Sequence, residues 1–71
     1  MNQFQRDLGM RIFLARDRLK LTQAGLAKLV HRSRHDVASW EMGRRGVSAE
    51  CLVRLSNVLG VTTDWLLKGD K

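Results

Sequence analysis

Apolar residues return every three or four positions along almost the whole chain, and β-branched residues nowhere run in the alternating strings of a half-buried strand. Proline is absent, so none of these periodic stretches is broken from within. The pattern is that of an all-α chain in five segments. The first runs from about Gln3 to Leu19 and sets Phe4, Leu8, Ile12, Ala15 and Leu19 on one stripe. Thr22 stands where an N-cap belongs and opens a short helix carrying Leu26, Ala27, Leu29 and Val30. His31-Arg32 is a tight connection, after which Ser33 opens a third helix bearing Val37 and Trp40. Ser33 and Asp36 have capping-box spacing, although Glu or Gln is the usual second member. Gly43-Arg44-Arg45-Gly46 reads as a loop. Ser48 caps a fourth helix (Leu52, Leu55, Val58, Leu59) that stops at Gly60, a natural C′ residue, and Thr62 or Thr63 starts a last one that ends near Gly69.

At 71 residues this is one compact five-helix domain, 1–71, that buries only about 60% of its unfolded surface. Nothing staples it: Cys51 is the single cysteine, and no Cys/His cluster offers a structural metal site. Cys51 reads instead as a small hydrophobe, and Trp40 and Trp65 as core. No apolar run approaches the roughly 20 residues of a membrane span, and the N-terminus has no apolar leader. These features point to a reduced, cytoplasmic domain. No Ser/His/Asp constellation, Gly-rich phosphate loop or pair of acids at active-site spacing is present, so a non-enzyme without cofactor, metal or small-molecule ligand is expected. Charge is more informative. The net +6 is held entirely by residues 1–47, with ten basic and four acidic side chains, whereas residues 48–71 balance. So localised an excess suits a polyanion, most often nucleic acid, though acidic lipid or an acidic protein fits the arithmetic too.

Leu21-Thr22-Gln23, Leu26-Ala27, Ser33, Val37, Trp40-Glu41 and Gly43, followed by Ser48, Leu55, Leu59-Gly60-Val61 and Asp64-Trp65-Leu66-Leu67, resemble the phage repressor and Cro type of helix-turn-helix domain. The resemblance covers about Leu8 to Gly69 without insertion. It implies that residues 22–30 and 33–42 are the two helices of the motif, the second entering the major groove of double-stranded DNA while the first crosses the backbone. It also implies a bacterial or phage-encoded transcriptional regulator acting as a symmetric dimer on a pseudo-palindromic operator, with dimer contacts from the loop before the last helix and from that helix (Val61 to Leu67), Val61 and Trp65 among them. Arg16 and Glu41 match family positions that look like an ion pair.

The helical period then assigns roles within that frame. With Val37 inward, His35 and Ser39 lie nearly opposite it, and Arg34 stands at the end that dips furthest into the groove. Arg34, His35 and Ser39 are expected to read bases, Arg34 bidentately on guanine. Asp36 either accepts from cytosine N4 or back-bonds to the Ser33 amide as a cap. Thr22, Gln23, Arg32, Ser33, Arg44 and Arg45 are expected to grip phosphates.

Four positions depart from the family pattern. His31-Arg32 replaces a glycine and a small apolar residue at the turn, and His31 must take φ > 0 at some strain. Gly25 occupies a mid-helix site that favours Glu, and Val47 replaces a common proline. Met10, Phe13 and Leu14 form an apolar face opposite the first helix's stripe, either a contact for a protein partner or second subunit, or scattered surface hydrophobics. That face supports an alternative function, a protein-interaction module such as an antitoxin or a restriction-modification controller. A third reading, non-specific basic binding to RNA or membrane, predicts no base preference. A chain ending just after the fifth helix fits a complete protein or the N-terminal piece of a longer repressor equally.

Overall fold

The computed structural model describes residues 2–70, and five helices make up its regular structure: α1 (Gln3–Arg18), α2 (Gln23–Leu29), α3 (Arg34–Glu41), α4 (Ala49–Leu59) and α5 (Thr63–Lys68). Each begins at a residue whose side-chain oxygen accepts from the backbone amide three positions on. These caps are Asn2, Thr22, Ser33, Ser48 and Thr62, with N···O distances of 2.8–3.3 Å. With helices of six to sixteen residues, too short to persist alone, these caps satisfy donors that would otherwise be orphaned. Each helix also ends next to a left-handed residue: Lys20, His31, Gly43, Gly60 or Gly69. The His31 φ of 61° is the positive value expected at the turn.

The apolar stripes meet in one core of Leu8, Ile12, Ala15, Leu26, Ala27, Val30, Val37, Trp40, Cys51, Leu55, Leu59 and Leu66. α1 runs through the middle, against α3, α4 and α5, while α2 packs on α3. Two members of the expected α1 stripe are not in this core: Phe4 and Leu19 are about half exposed. A 16-residue helix is about 24 Å long, as wide as the whole fold at 25 × 25 × 21 Å. The ends of α1 therefore sit at the rim, and Phe4 and Leu19 face outward there. Trp65 is half-buried rather than fully enclosed. Among the described residues no helix is long and apolar enough to cross a membrane.

Gly9, inside α1, marks the closest approach of two elements. A Cβ there would collide with the Trp40 carbonyl oxygen and lie 2.8 Å from that of Glu41. Only a residue without a side chain lets the last turn of α3 rest on α1, and that contact sets the direction in which α3 points.

Candidate nucleic-acid interface

α2, the turn and α3 form a helix-turn-helix whose corner is closed by backbone. The His31 amide donates to the Lys28 carbonyl (3.3 Å) and the Arg32 amide to that of Ala27 (2.9 Å), the paired bonds of a Schellman ending with His31 at its left-handed position. Arg32, sitting where an apolar side chain would have packed, turns outward and donates from Nε to Asp36 Oδ2 at 3.1 Å.

α3 buries Val37 and Trp40 and exposes Arg34 and His35 in its first turn. The capping box is complete, since Ser33 Oγ accepts from the Asp36 amide (3.1 Å) and Asp36 Oδ2 accepts from the Ser33 amide (3.4 Å). Asp36 is also held from beyond the helix, by Arg45 Nη1 on its other oxygen at 3.2 Å. Burial raises the pKa of this carboxyl, but the bonds from Arg32 and from Ser33 outweigh it, and the group titrates below the usual aspartate value.

Ser39 differs from expectation. It is only 7% exposed, although the period alone puts it near His35. Periodicity fixes only the angle around the helix axis, and the fold encloses the Ser39 side of α3 more than the His35 side. Ser39 is thereby removed from the exposed reading face, which keeps Arg34 and His35, with Ala38 half-buried and Met42 exposed further along.

Behind this face lies the ion pair. Arg16 meets Glu41 through two bonds, Nε to Oε2 at 2.6 Å and Nη2 to Oε1 at 3.0 Å, and spends Nη1 on the Leu21 carbonyl at 2.7 Å. The two side chains are 12% and 6% exposed. Hydrogen bonding to Glu41 raises the Arg16 pKa against the opposing effect of burial, so the guanidinium stays charged. Phe13 lies over that guanidinium, 5.3 Å from ring centroid to Cζ. Gln23, expected to grip a phosphate, has its amide engaged in the free protein: Nε2 donates to Glu41 Oε1 (3.0 Å) and Oε1 accepts from Arg34 Nη1 (3.2 Å). Thr22 and Ser33 accept as caps yet keep their hydroxyl protons available. The Arg44 side chain is exposed and makes no hydrogen bond or ion pair among the described residues.

Two further arginines are tied to the backbone. Arg11 donates to the Leu66 carbonyl (3.1 Å) and Arg54 to that of Val30 (3.3 Å), each at the C-terminal end of a helix where carbonyls lack partners. Sequence reasoning missed both, because the acceptors are backbone groups brought close only by the fold. The apolar face of α1 divides. Met10 and Phe13 join Met42 around an open concavity floored by Arg16, Gln23 and Glu41, beside the reading face, whereas Leu14 is exposed without lining it. Val61 and Trp65 line a second concavity with Arg18 and Thr62.

Residues 7–66 match the family model described as "Helix-turn-helix domain". The chain is 40% identical over 63 residues to repressor protein C2 of Salmonella phage P22, which covers 89% of this chain and 29% of that protein. It is 39% identical over 64 residues to the HTH-type transcriptional regulator DicA of Escherichia coli, covering 90% of this chain and 47% of DicA. The chain thus spans less than half the length of these relatives. Its structure superposes on the P22 c2 repressor bound to a synthetic operator with a TM-score of 0.86, covering 89% of this chain and 96% of that one at 40% identity. On the restriction-modification controller protein C.AhdI from Aeromonas hydrophila the TM-score is 0.82, covering 87% and 94% at 29% identity.

Proposed function

The chain belongs to the helix-turn-helix domain family, and from that premise we propose that it is a sequence-specific DNA-binding transcriptional regulator, a repressor by analogy with its relatives. The observation that carries the reading is the first turn of α3. Arg34 and His35 stand exposed there, on a helix end fixed by a capping box and flanked by Arg32, Arg44 and Arg45. A helix fits the major groove end-on in this way, and Arg34 can present two donors to guanine O6 and N7 while His35 reaches a neighbouring base edge. Thr22, Ser33 and Arg44 supply phosphate contacts directly. Arg32 and Arg45 do so with the donors that Asp36 leaves free, and Gln23 after it turns from Arg34. The chain acts as a dimer through Val61 and Trp65 on half-sites about 34 Å apart. The reading assigns no catalytic step and places the molecule with DNA in the cytoplasm.

Selection of bound duplexes from a random library at physiological salt tests this. An enriched inverted repeat is expected, and Arg34→Ala should weaken binding to it by about tenfold or more while hardly changing binding to random duplex. A folded protein that enriches nothing would overturn the reading. The apolar concavity beside α3 favours a second one, a regulator whose Met10/Phe13 face engages a protein partner. Phe13→Lys would then abolish co-purification of that partner while leaving the enriched site unchanged.

A further inference from the structure

One carboxylate ties together the two segments that flank the recognition helix. Asp36 Oδ2 takes Nε of Arg32, from the turn before α3, and the amide of Ser33; Oδ1 takes Nη1 of Arg45, from the loop after it. The Asp36 side chain is 15% exposed, against 40% for Arg32 and 57% for Arg45. The acid therefore sits behind its two partners while both guanidinia face outward. A guanidinium has five N–H donors, and one from each is used here. We propose that Asp36 is a positioning residue for specificity, holding Arg32 and Arg45 in one register with Arg34 and His35 and reducing the positive charge they offer to DNA of any sequence. The proposal rests on the DNA-binding reading and goes beyond it by naming what restrains non-specific attraction.

The physical logic is a balance of two effects. Phosphate attraction carries no sequence information and grows with each cation free to reach a backbone. An unrestrained Arg32 and Arg45 would each find a phosphate in any register of the helix on the duplex. Clamped to Asp36, both meet the backbone only where α3 is already seated, so their contribution is made together with base contacts. A carboxylate close to the DNA also repels phosphate. The cluster of two guanidinia and one carboxylate is worth a single net positive charge, and its removal raises that to two.

The test uses the intact chain and its Asp36→Asn variant. Asparagine keeps an acceptor for the Ser33 amide and so preserves much of the cap; Arg45→Gln, which undoes one arm on an exposed side chain, is the second variant. Affinity for random duplex and for the enriched site is measured across a salt series, with circular dichroism confirming that each variant is folded. For Asp36→Asn, binding to random duplex is expected to tighten. The slope of log affinity against log salt is expected to steepen by about one for each guanidinium that gains a phosphate. The preference for the enriched site over random duplex is expected to fall by about tenfold, whereas loss of a cap alone would leave the slope unmoved. Arg45→Gln should flatten the slope. A folded Asp36→Asn protein with unchanged slope and preference overturns the proposal. So does one whose enriched site changes at a single base pair with the slope unchanged, which would make Asp36 a base contact. Wild-type protein that binds no duplex overturns the DNA-binding reading and this inference with it, whereas the two preceding outcomes leave that reading intact.

Discussion

The two ends of α3 use the same chemistry to opposite effect. At its C-terminal end Glu41 meets Arg16 through two short bonds, under Phe13 and almost out of water, and the last turn lies directly on Gly9. At its N-terminal end Asp36 meets Arg32 and Arg45 through single, longer bonds, with both arginines largely in water. A buried, bidentate pair is stiff, and breaking it strands a charge. An exposed pair adds little to stability. One end is therefore anchored in the core, while at the other Asp36 orients two arginines whose remaining donors stay open to water, a division suited to a helix that must be aimed before it touches anything.

The largest effect should come from breaking the anchored end. Glu41→Ala leaves the Arg16 guanidinium short of two acceptors and Gln23 Nε2 without one, and should cost about 3 kcal/mol, as should Arg16→Met. Urea unfolding reads this directly, and a midpoint unchanged in both variants would show that the pair is no stiffer than the one at Asp36. Gly9→Ala comes next. Alanine normally stabilises a helix interior by up to about 1 kcal/mol over glycine, but here its methyl must displace the backbone carbonyls of Trp40 and Glu41. Overpacking of this kind should win by about 2 kcal/mol. A Gly9→Ala protein as stable as the parent would mean that α3 can slide on α1, and the contrast between its two ends would weaken.

Much of this was readable in advance, and the exceptions share a cause. Thr22, Ser33 and Ser48 announce their helices, and the Thr62-Thr63 pair the last one, because a cap is a local interaction, decided within four residues. The left-handed His31 followed from the resemblance, which places a glycine at that position of the turn. Ser39, Phe4 and Leu19 went the other way. Periodicity reports which face of a helix is apolar, but not how far a neighbour extends along it. Gly9 carries no local signal, and its purpose is visible only with the end of α3 laid across it. Arg11 and Arg54 added to a charge count, yet their acceptors are backbone carbonyls in other parts of the chain. At the candidate interface the Ser33–Asp36 cap was legible from its spacing, whereas the bonds of Gln23 to Glu41 and Arg34, and of Arg45 to Asp36, join residues too far apart in the chain for spacing to reveal.

A smaller effect of opposite sign belongs to the corner just before α3. His31 holds φ at 61°, where an L-residue carries about 1–2 kcal/mol of strain. Glycine removes that strain but adds freedom to the unfolded chain, about 0.5–1 kcal/mol in the other direction. His31→Gly should therefore raise stability by about 0.5 kcal/mol, seen as a small increase in the urea midpoint with unchanged slope. A decrease would mean that the imidazole makes a contribution of its own at the corner.

The subtlest effect separates the two ends by acid. Asp36 titrates below the ordinary aspartate value in the folded protein, so folding favours its charged form. The stability that follows is fully present above the unfolded-state pKa, near 3.9, and is lost as pH falls through the lower folded value. Protonation removes the acceptor shared by Arg32, Arg45 and the Ser33 amide, so the first turn of α3 should loosen in acid. Arg16, whose pKa is raised, keeps its charge throughout that range. Following the Asp36 carboxyl carbon by NMR from pH 6 downward should give a midpoint below 3.9, moving back towards it in 1 M salt as the exposed guanidinia are screened. Exchange protection should fall at the Asp36 amide before it falls at the Met42 amide. A midpoint at or above the ordinary value, insensitive to salt, would mean that the two arginines do not hold Asp36 in solution, and that both ends of α3 are free of the asymmetry seen here.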